Sequence, residues 1–308
     1  MIMKHDYPRL SWGCLCGLFG KTRHAHYDNL WRGQDGSLKE EIILQLVDET
    51  RKSLPRLGTR KMLFLLQPQL ADHQIAVGRD YLFDLLDAHK LLIRQRKRKV
   101  STTDSRHWMH KYANLAKEMD IVRPELLWVS DITYIRVQNQ WAYLSLITDA
   151  FSRKIMGYCC RLDMLALGPV AALQMALDNR SYHGQALTHH SDRGAQYCCK
   201  DYVELLGGEG ISISMTERGD PYENALAERM NGIIKGEFNL YTSLVNFEQT
   251  CGKIHSSIKA YNELRPHGSC DYLTPCQAHE QGNVLKKRWK KYPGKWQKEK
   301  PPVATVPV

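Results

Sequence analysis

Residues 126–162 carry three β-rich runs, "LLWVSDITYIRVQ", "QWAYLSLITDAFS" and "KIMGYCCRL", with only short turns between them. Parallel neighbours need a crossover of a dozen or more residues, so turns this short predict an antiparallel three-stranded meander. Beyond it the period changes. "GPVAALQMALDNR" has helical apolar spacing, "ALTHHSDRG" reads as a strand running into a loop, "KDYVELLGG" as a helix, "ISISMT" as a strand and "YENALAERMNGIIK" as a helix. The order β-β-β-α-β-α-β-α specifies an α/β class: a mixed five-stranded sheet flanked by helices. "FEQTCGKIHSSIKAYNEL" then predicts a long closing helix.

Upstream, residues 10–92 show helical patterns only. One runs through "LFGKTRHAHYDNLWR", a second through "SLKEEIILQLVDETRKSL" with Ser37 as its N-cap, and a third region pairs "LGTRKMLFLLQPQ" with "AVGRDYLFDLLDAHKLL". Gly58 and Gly78 punctuate the last two helix starts, and Leu82, Leu85 and Leu86 form an apolar stripe. The spacing fits equally a helix-turn-helix that offers Arg60, Lys61 and Arg79 to DNA and a plain three-helix bundle. The run "RQRKRKVSTTDSRH" follows, with Arg96, Lys97 and Arg98 suited to lie along phosphates or simply to be solvated. The expected organisation is an N-terminal helical segment (1–36), a helix-turn-helix-like all-α domain (37–100), a basic linker (101–123), the α/β core (124–280) and a basic tail (281–308) with interleaved aromatics.

The 308 residues carry a net charge of +10, which points to a polyanionic partner such as nucleic acid. No apolar run is long enough for a membrane span and the start of the chain lacks a signal pattern, so the expected location is cytoplasmic, away from membranes. Nine cysteines, including the adjacent pairs Cys159-Cys160 and Cys198-Cys199, suit buried thiols better than a disulfide framework. Cys14, Cys16, His24 and His26 have C-x-C and H-x-H spacings unlike those of common zinc sites, which favours helical packing for them.

Two carboxylates stand where charge is costly or turns are made. Asp131 lies mid-strand among Val129, Ile132 and Ile135, where an ionised group needs a partner or a metal. Asp192 ends a strand just before Gly194, a position that also suits a turn-forming aspartate. In "DPYENALAERMNGIIKGE", Asn224, Glu228, Asn231 and Lys235 recur at helical spacing as one polar stripe, opposite Leu226, Met230, Ile233 and Ile234. Asp220 and Glu223 open the helix as favourable N-terminal charges, and Glu237 is expected to be a solvated acid in its last turn.

"LWVSDITYI", "HSDRGAQY" and "YENALAERMNGIIK", with Asp131, Asp192 and Glu228 at their spacing, resemble the catalytic region of insertion-sequence-3 family DDE transposases, which are close to retroviral integrases. "DAFSRKIMGY", "YNELRPH", "LTP" and the upstream "LGTRKM" match further motifs of that family; Glu223 stands where an aspartate is usual. The resemblance implies a ribonuclease H-like core and metal-dependent cleavage of insertion-sequence ends, followed by strand transfer through 3′-OH attack on a DNA phosphodiester. It implies Asp131, Asp192 and Glu228 as catalytic and metal-binding residues holding two Mg2+ ions per site, with Mn2+ as a substitute, and Asp131 bridging the ions. Lys235 is expected to reach a phosphate beside the metals, and Asn224, Asn231 and Arg193 to contact DNA; His190 fits either a substrate contact or a structural role. Expected partners are terminal inverted repeats, target DNA and further copies of the chain on DNA. The chain lacks an a/d heptad run, so it resembles the downstream product of such an element, working beside or fused to the upstream OrfA-type protein, in the bacterial nucleoid. A catalytically inactive DNA-binding derivative and a ribonuclease H-type nuclease are the competing expectations.

Overall fold

A computed structural model describes residues 5, 7–93, 108–117, 119–138, 140–217, 224–242, 246–281 and 285. Arg96, Lys97, Arg98, Asp220, Glu223 and the basic residues of the tail lie outside these described residues.

The helices α1 (Trp12–Leu18), α2 (Arg23–Ser53), α3 (Thr59–Asp72) and α4 (Arg79–Ala88) come first. The sheet is β1 (Leu127–Val137), β2 (Gln140–Asp149), β3 (Ile155–Arg161), β4 (Thr188–Ser191) and β5 (Ser212–Met215). Its helices are α5 (Leu167–Asp178), α6 (Ala195–Cys198), α7 (Lys200–Gly208), α8 (Ala225–Glu237), α9 (Phe247–Glu263) and α10 (Pro275–Glu280). The strand order is β3-β2-β1-β4-β5, antiparallel across the meander and parallel from β1 to β4 to β5, the mixed sheet that the order of elements predicts and the ribonuclease H-like arrangement that the resemblance implies.

Alternation along β1 decides what each face packs on. Trp128 is buried with α5 and α7 on one face; Leu127, Val129, Ile135 and Val137 are buried on the other, where α8 and α9 lie. At Gly157 of β3 the sheet and α5 nearly touch: a Cβ there would stand 2.0 Å from the Ala172 carbonyl oxygen.

Three expectations change. Ser37 is not an N-cap, because α2 runs unbroken from the Thr22 cap through Gly36 and Ser37. The true break falls earlier, at residues 19–22, between α1 and α2. Part of the predicted linker is anchored: the Met215 N–H donates to the Ala113 carbonyl and the Leu115 N–H to Ser214 Oγ, so residues 108–117 reach the edge of β5. Gly58 and Gly78 do cap α3 and α4, and Leu82, Leu85 and Leu86 are buried.

Candidate active site

Register builds the site. β1 pairs with β2 along its length, with Asp131 opposite Leu146, but β4 pairs with β1 only over Leu127–Val129, where Val129 faces His190. Asp131 and Asp192 each follow that last pair by two residues, so they share a face where β4 leaves the sheet. Asp192 Oδ1 accepts the Gly194 N–H at 2.9 Å, closing a tight turn. A Cβ at Gly194 would stand 3.0 Å from that oxygen, so glycine leaves the carboxylate room.

Helix α8 is laid along β1 by three side-chain ties in chain order. Asn224 Nδ2 donates to the Ser130 carbonyl at 3.0 Å, Asn231 Nδ2 to Asp131 Oδ2 at 2.7 Å and Lys235 Nζ to Thr133 Oγ1 at 2.9 Å. Glu228 lies between the first two ties, exposed in the first turn of α8. The second Asp131 oxygen accepts the Ile132 N–H at 2.9 Å.

Burial, then the Asp192 charge, push the Asp131 carboxyl up to about 7; Glu228 adds to this, while the Ile132 N–H and Asn231 oppose it. Among the described residues no three His, Cys, Asp or Glu side chains close on a common metal-holding point. The three acids therefore do not close on one point. Carboxylate oxygens are hard donors of the kind that suits a divalent cation.

His189 Nε2 bonds Ser130 Oγ at 2.8 Å and Tyr202 Oη at 2.9 Å. Burial, with His190 beside it, pushes His189 down to about 3, so it is a neutral strut. His190 is buried and bonds Ser214 Oγ at 2.9 Å, which decides for its structural role.

Several expected DNA contacts are instead internal. Asn224 and Asn231 are buried against β1, because the polar stripe of α8 faces the sheet and satisfies its polar groups. Lys61 points inward to Glu237 Oε1 at 3.5 Å, and burial pushes it down to about 8. Glu237 is not solvated: Arg265 grips both of its oxygens at 2.6 Å. Arg60 and Arg79 are exposed, Arg79 pairing with its neighbour Asp80, and Arg193 is half-buried beside Asp192. The sequence held no signal for Glu237, whose partners are remote in the chain.

The integrase core domain family matches residues 122–221, and a second integrase core domain family matches residues 209–275. An uncharacterized 31 kDa protein of insertion element IS600 from Shigella sonnei is 32% identical over 277 residues, 86% of this chain and 97% of that protein. The chain belongs to the insertion-sequence-3 transposase family. The transposase of element IS629 from Shigella sonnei is 33% identical over 66% of each chain. Transposase InsF of IS3fB from Escherichia coli K12 is 33% identical over 51% of this chain and 55% of its own. The HTLV-2 integrase catalytic core, solved in complex with magnesium, aligns over 52% of this chain and 98% of its own at a TM-score of 0.40 and 21% identity. This transposase thus carries its integrase core on the sheet and helices that hold Asp131, Asp192 and Glu228. No helix among its described residues is long and apolar enough to cross a membrane.

Proposed function

We propose that Asp131, Asp192 and Glu228 form the catalytic acid set with which this transposase cuts the ends of its element and joins them to target DNA. The observation that carries the reading is the placement of Asp131 and Asp192 two residues past the last β1–β4 pair, with α8 tied along β1 on either side of Glu228. The three carboxylates would hold two divalent ions, Mg2+ with Mn2+ as a substitute, which when bound activate the attacking oxygen and stabilise the leaving oxygen of an in-line displacement. The chain's own residues orient these ligands. Asn231 and the Ile132 N–H fix both oxygens of Asp131, the Gly194 turn fixes Asp192, and the ties of α8 hold Glu228 beside them. Lys235, Arg193, Arg60 and Arg79 are the contacts to phosphate that this reading retains, together with Arg96, Lys97 and Arg98.

The same reading takes terminal inverted repeats and target DNA as substrates, an assembly of several copies on DNA, and an upstream OrfA-type protein as partner or frameshift fusion. It sets the work in the bacterial cytoplasm, at the nucleoid.

Single-turnover cleavage and joining of labelled element ends in magnesium tests the acids. Asp131→Asn, Asp192→Asn and Glu228→Gln should each lower both steps by at least about a hundredfold while leaving DNA binding intact. A variant of any of the three that cuts at the wild-type rate overturns the assignment.

A further inference from the structure

The end of α8 turns an aromatic ring back onto the side of β1 that carries Asp131. Asn239 has a φ of 57°, the left-handed conformation that asparagine tolerates, and the Leu240 N–H donates to the Lys235 carbonyl at 3.0 Å, as in a Schellman cap. Leu240 is buried in one apolar cluster with Ile254 and Ile258 of α9, which holds the turn down. The Asn239 carbonyl accepts from Thr242 Oγ1 at 2.9 Å and from Lys253 Nζ of α9 at 3.4 Å. Tyr241 is thereby folded back along the helix. A Cβ on Gly236 would stand 3.6 Å from Tyr241 Cε2, and the Lys235 ammonium sits 5.2 Å from the ring centre.

Strand alternation fixes which side this is. Asp131 and Thr133 lie two residues apart on β1, so they face the same way, about 6.6 Å from each other along the strand. Asn231 of α8 donates to Asp131 Oδ2 at 2.7 Å, and Lys235, one helical turn further on, donates to Thr133 Oγ1 at 2.9 Å. Lys235 therefore joins the Tyr241 ring to the strand position next to Asp131. An ammonium carries three protons, and Thr133 takes one of them, so donors remain for an anion. Tyr241 keeps 43% of its surface open. An exposed ring with a lysine on it matches the chemistry of one nucleotide: the ring takes any base by stacking, and the ammonium takes the phosphate.

We propose that Tyr241 stacks on the base of the nucleotide adjoining the phosphodiester held at Asp131, while Lys235 takes that nucleotide's phosphate. This rests on the DNA-cutting reading of the acids and adds a base subsite to it. Stacking is blind to base identity, so Tyr241 fixes where the strand lies across the acids, not which sequence is read.

The test uses the full chain, fluorescence anisotropy without divalent cation, and element-end duplexes each carrying one abasic site at successive positions around the scissile phosphodiester. One position should weaken wild-type binding about tenfold, and Tyr241→Leu should weaken the intact duplex to a similar degree. The two changes together should cost no more than either alone, while Tyr241→Phe binds as wild type. Wild-type binding by Tyr241→Leu overturns the subsite. So do losses that add at every position, because a ring that served only to aim Lys235 would weaken intact and abasic ends alike. Circular dichroism checks folding, and Tyr241→Gln replaces Tyr241→Leu in the same cycle if that variant unfolds. Failure of the wild-type chain to bind element ends at all would instead strike the transposition reading.

Discussion

Glu237 ends α8 with both oxygens on the Arg265 guanidinium, which is buried, and with Lys61 on one of them. Burial alone would push its carboxyl up; Arg265 and Lys61 outweigh this and hold it below the usual carboxylate range. Glu237→Gln should destabilise the fold by about 3 kcal/mol, because it strands a buried guanidinium, and chemical denaturation measures that loss. Cleavage by the remaining folded fraction should stay near wild type, in contrast to Glu228→Gln. Asn231→Ala removes the 2.7 Å donor to Asp131 and should slow single-turnover cleavage about tenfold with little change in DNA binding. A wild-type rate in Asn231→Ala would remove Asn231 from the positioning of Asp131. Residue by residue, Asp131 was legible because a charge in mid-strand needs a reason. The orientation of Asn224 and Asn231 was not, since a polar stripe reads alike whether it meets solvent or the polar groups of a strand.

The strands and most helices were legible for a different reason: period-2 runs rich in branched and aromatic residues alternate with period-3.6 runs and leave one assignment for each. The failure at Ser37 has a physical cause. Gly36 costs a helix only about 1 kcal/mol relative to alanine, which the 31-residue α2 absorbs, so its apparent punctuation is no break. Gly157 is the opposite case, a glycine that is required. Its missing Cβ would meet the Ala172 carbonyl at 2.0 Å and the Ala176 nitrogen at 2.7 Å, both backbone atoms of α5. Gly157→Ala should therefore cost about 3 kcal/mol or more, since a whole helix must move, and thermal unfolding reads it directly. The brevity of β4 was only half visible: its sequence marks a strand, but where pairing with β1 stops depends on the register.

At the scale of the whole molecule, the last helix is fastened to the sheet by a buried ionic cluster. His279 bonds Glu125 Oε1 at 3.1 Å and Ser152 Oγ at 3.0 Å, lies 3.7 Å from Asp149 Oδ2, and faces the charge of Lys154 and the ring of Tyr182. Burial lowers its pKa, but Asp149 and Glu125 outweigh burial and raise it above the ordinary 6.5. That stabilisation is complete below about pH 6.5 and is lost as pH climbs through the raised folded value. Burial likewise raises Glu125, but His279 and the Ser181 and Tyr182 N–H groups outweigh it, so its contribution is present above its unfolded pKa and fades as pH falls through the lowered value. Denaturation midpoints should decline from mildly acidic toward alkaline pH, and His279→Gln should flatten that decline. Affinity for any DNA should also fall steeply with salt, and neutralising Arg96, Lys97 and Arg98 should reduce the slope equally for all sequences. The N-terminal helices share one apolar cluster with α8 and α9 and anchor on Glu237 through Lys61 and the Arg56 N–H. Glu228 and Glu237 lie nine residues apart on α8, a rise of about 13 Å. The helix that presents the third acid is thus bolted at its far end to the N-terminal bundle. That bundle is not an interchangeable cartridge: a chimaera grafting the α2–α4 region of a distant relative must bring a lysine in register with position 61, or it leaves Glu237 to Arg265 alone and gives up stability at this joint.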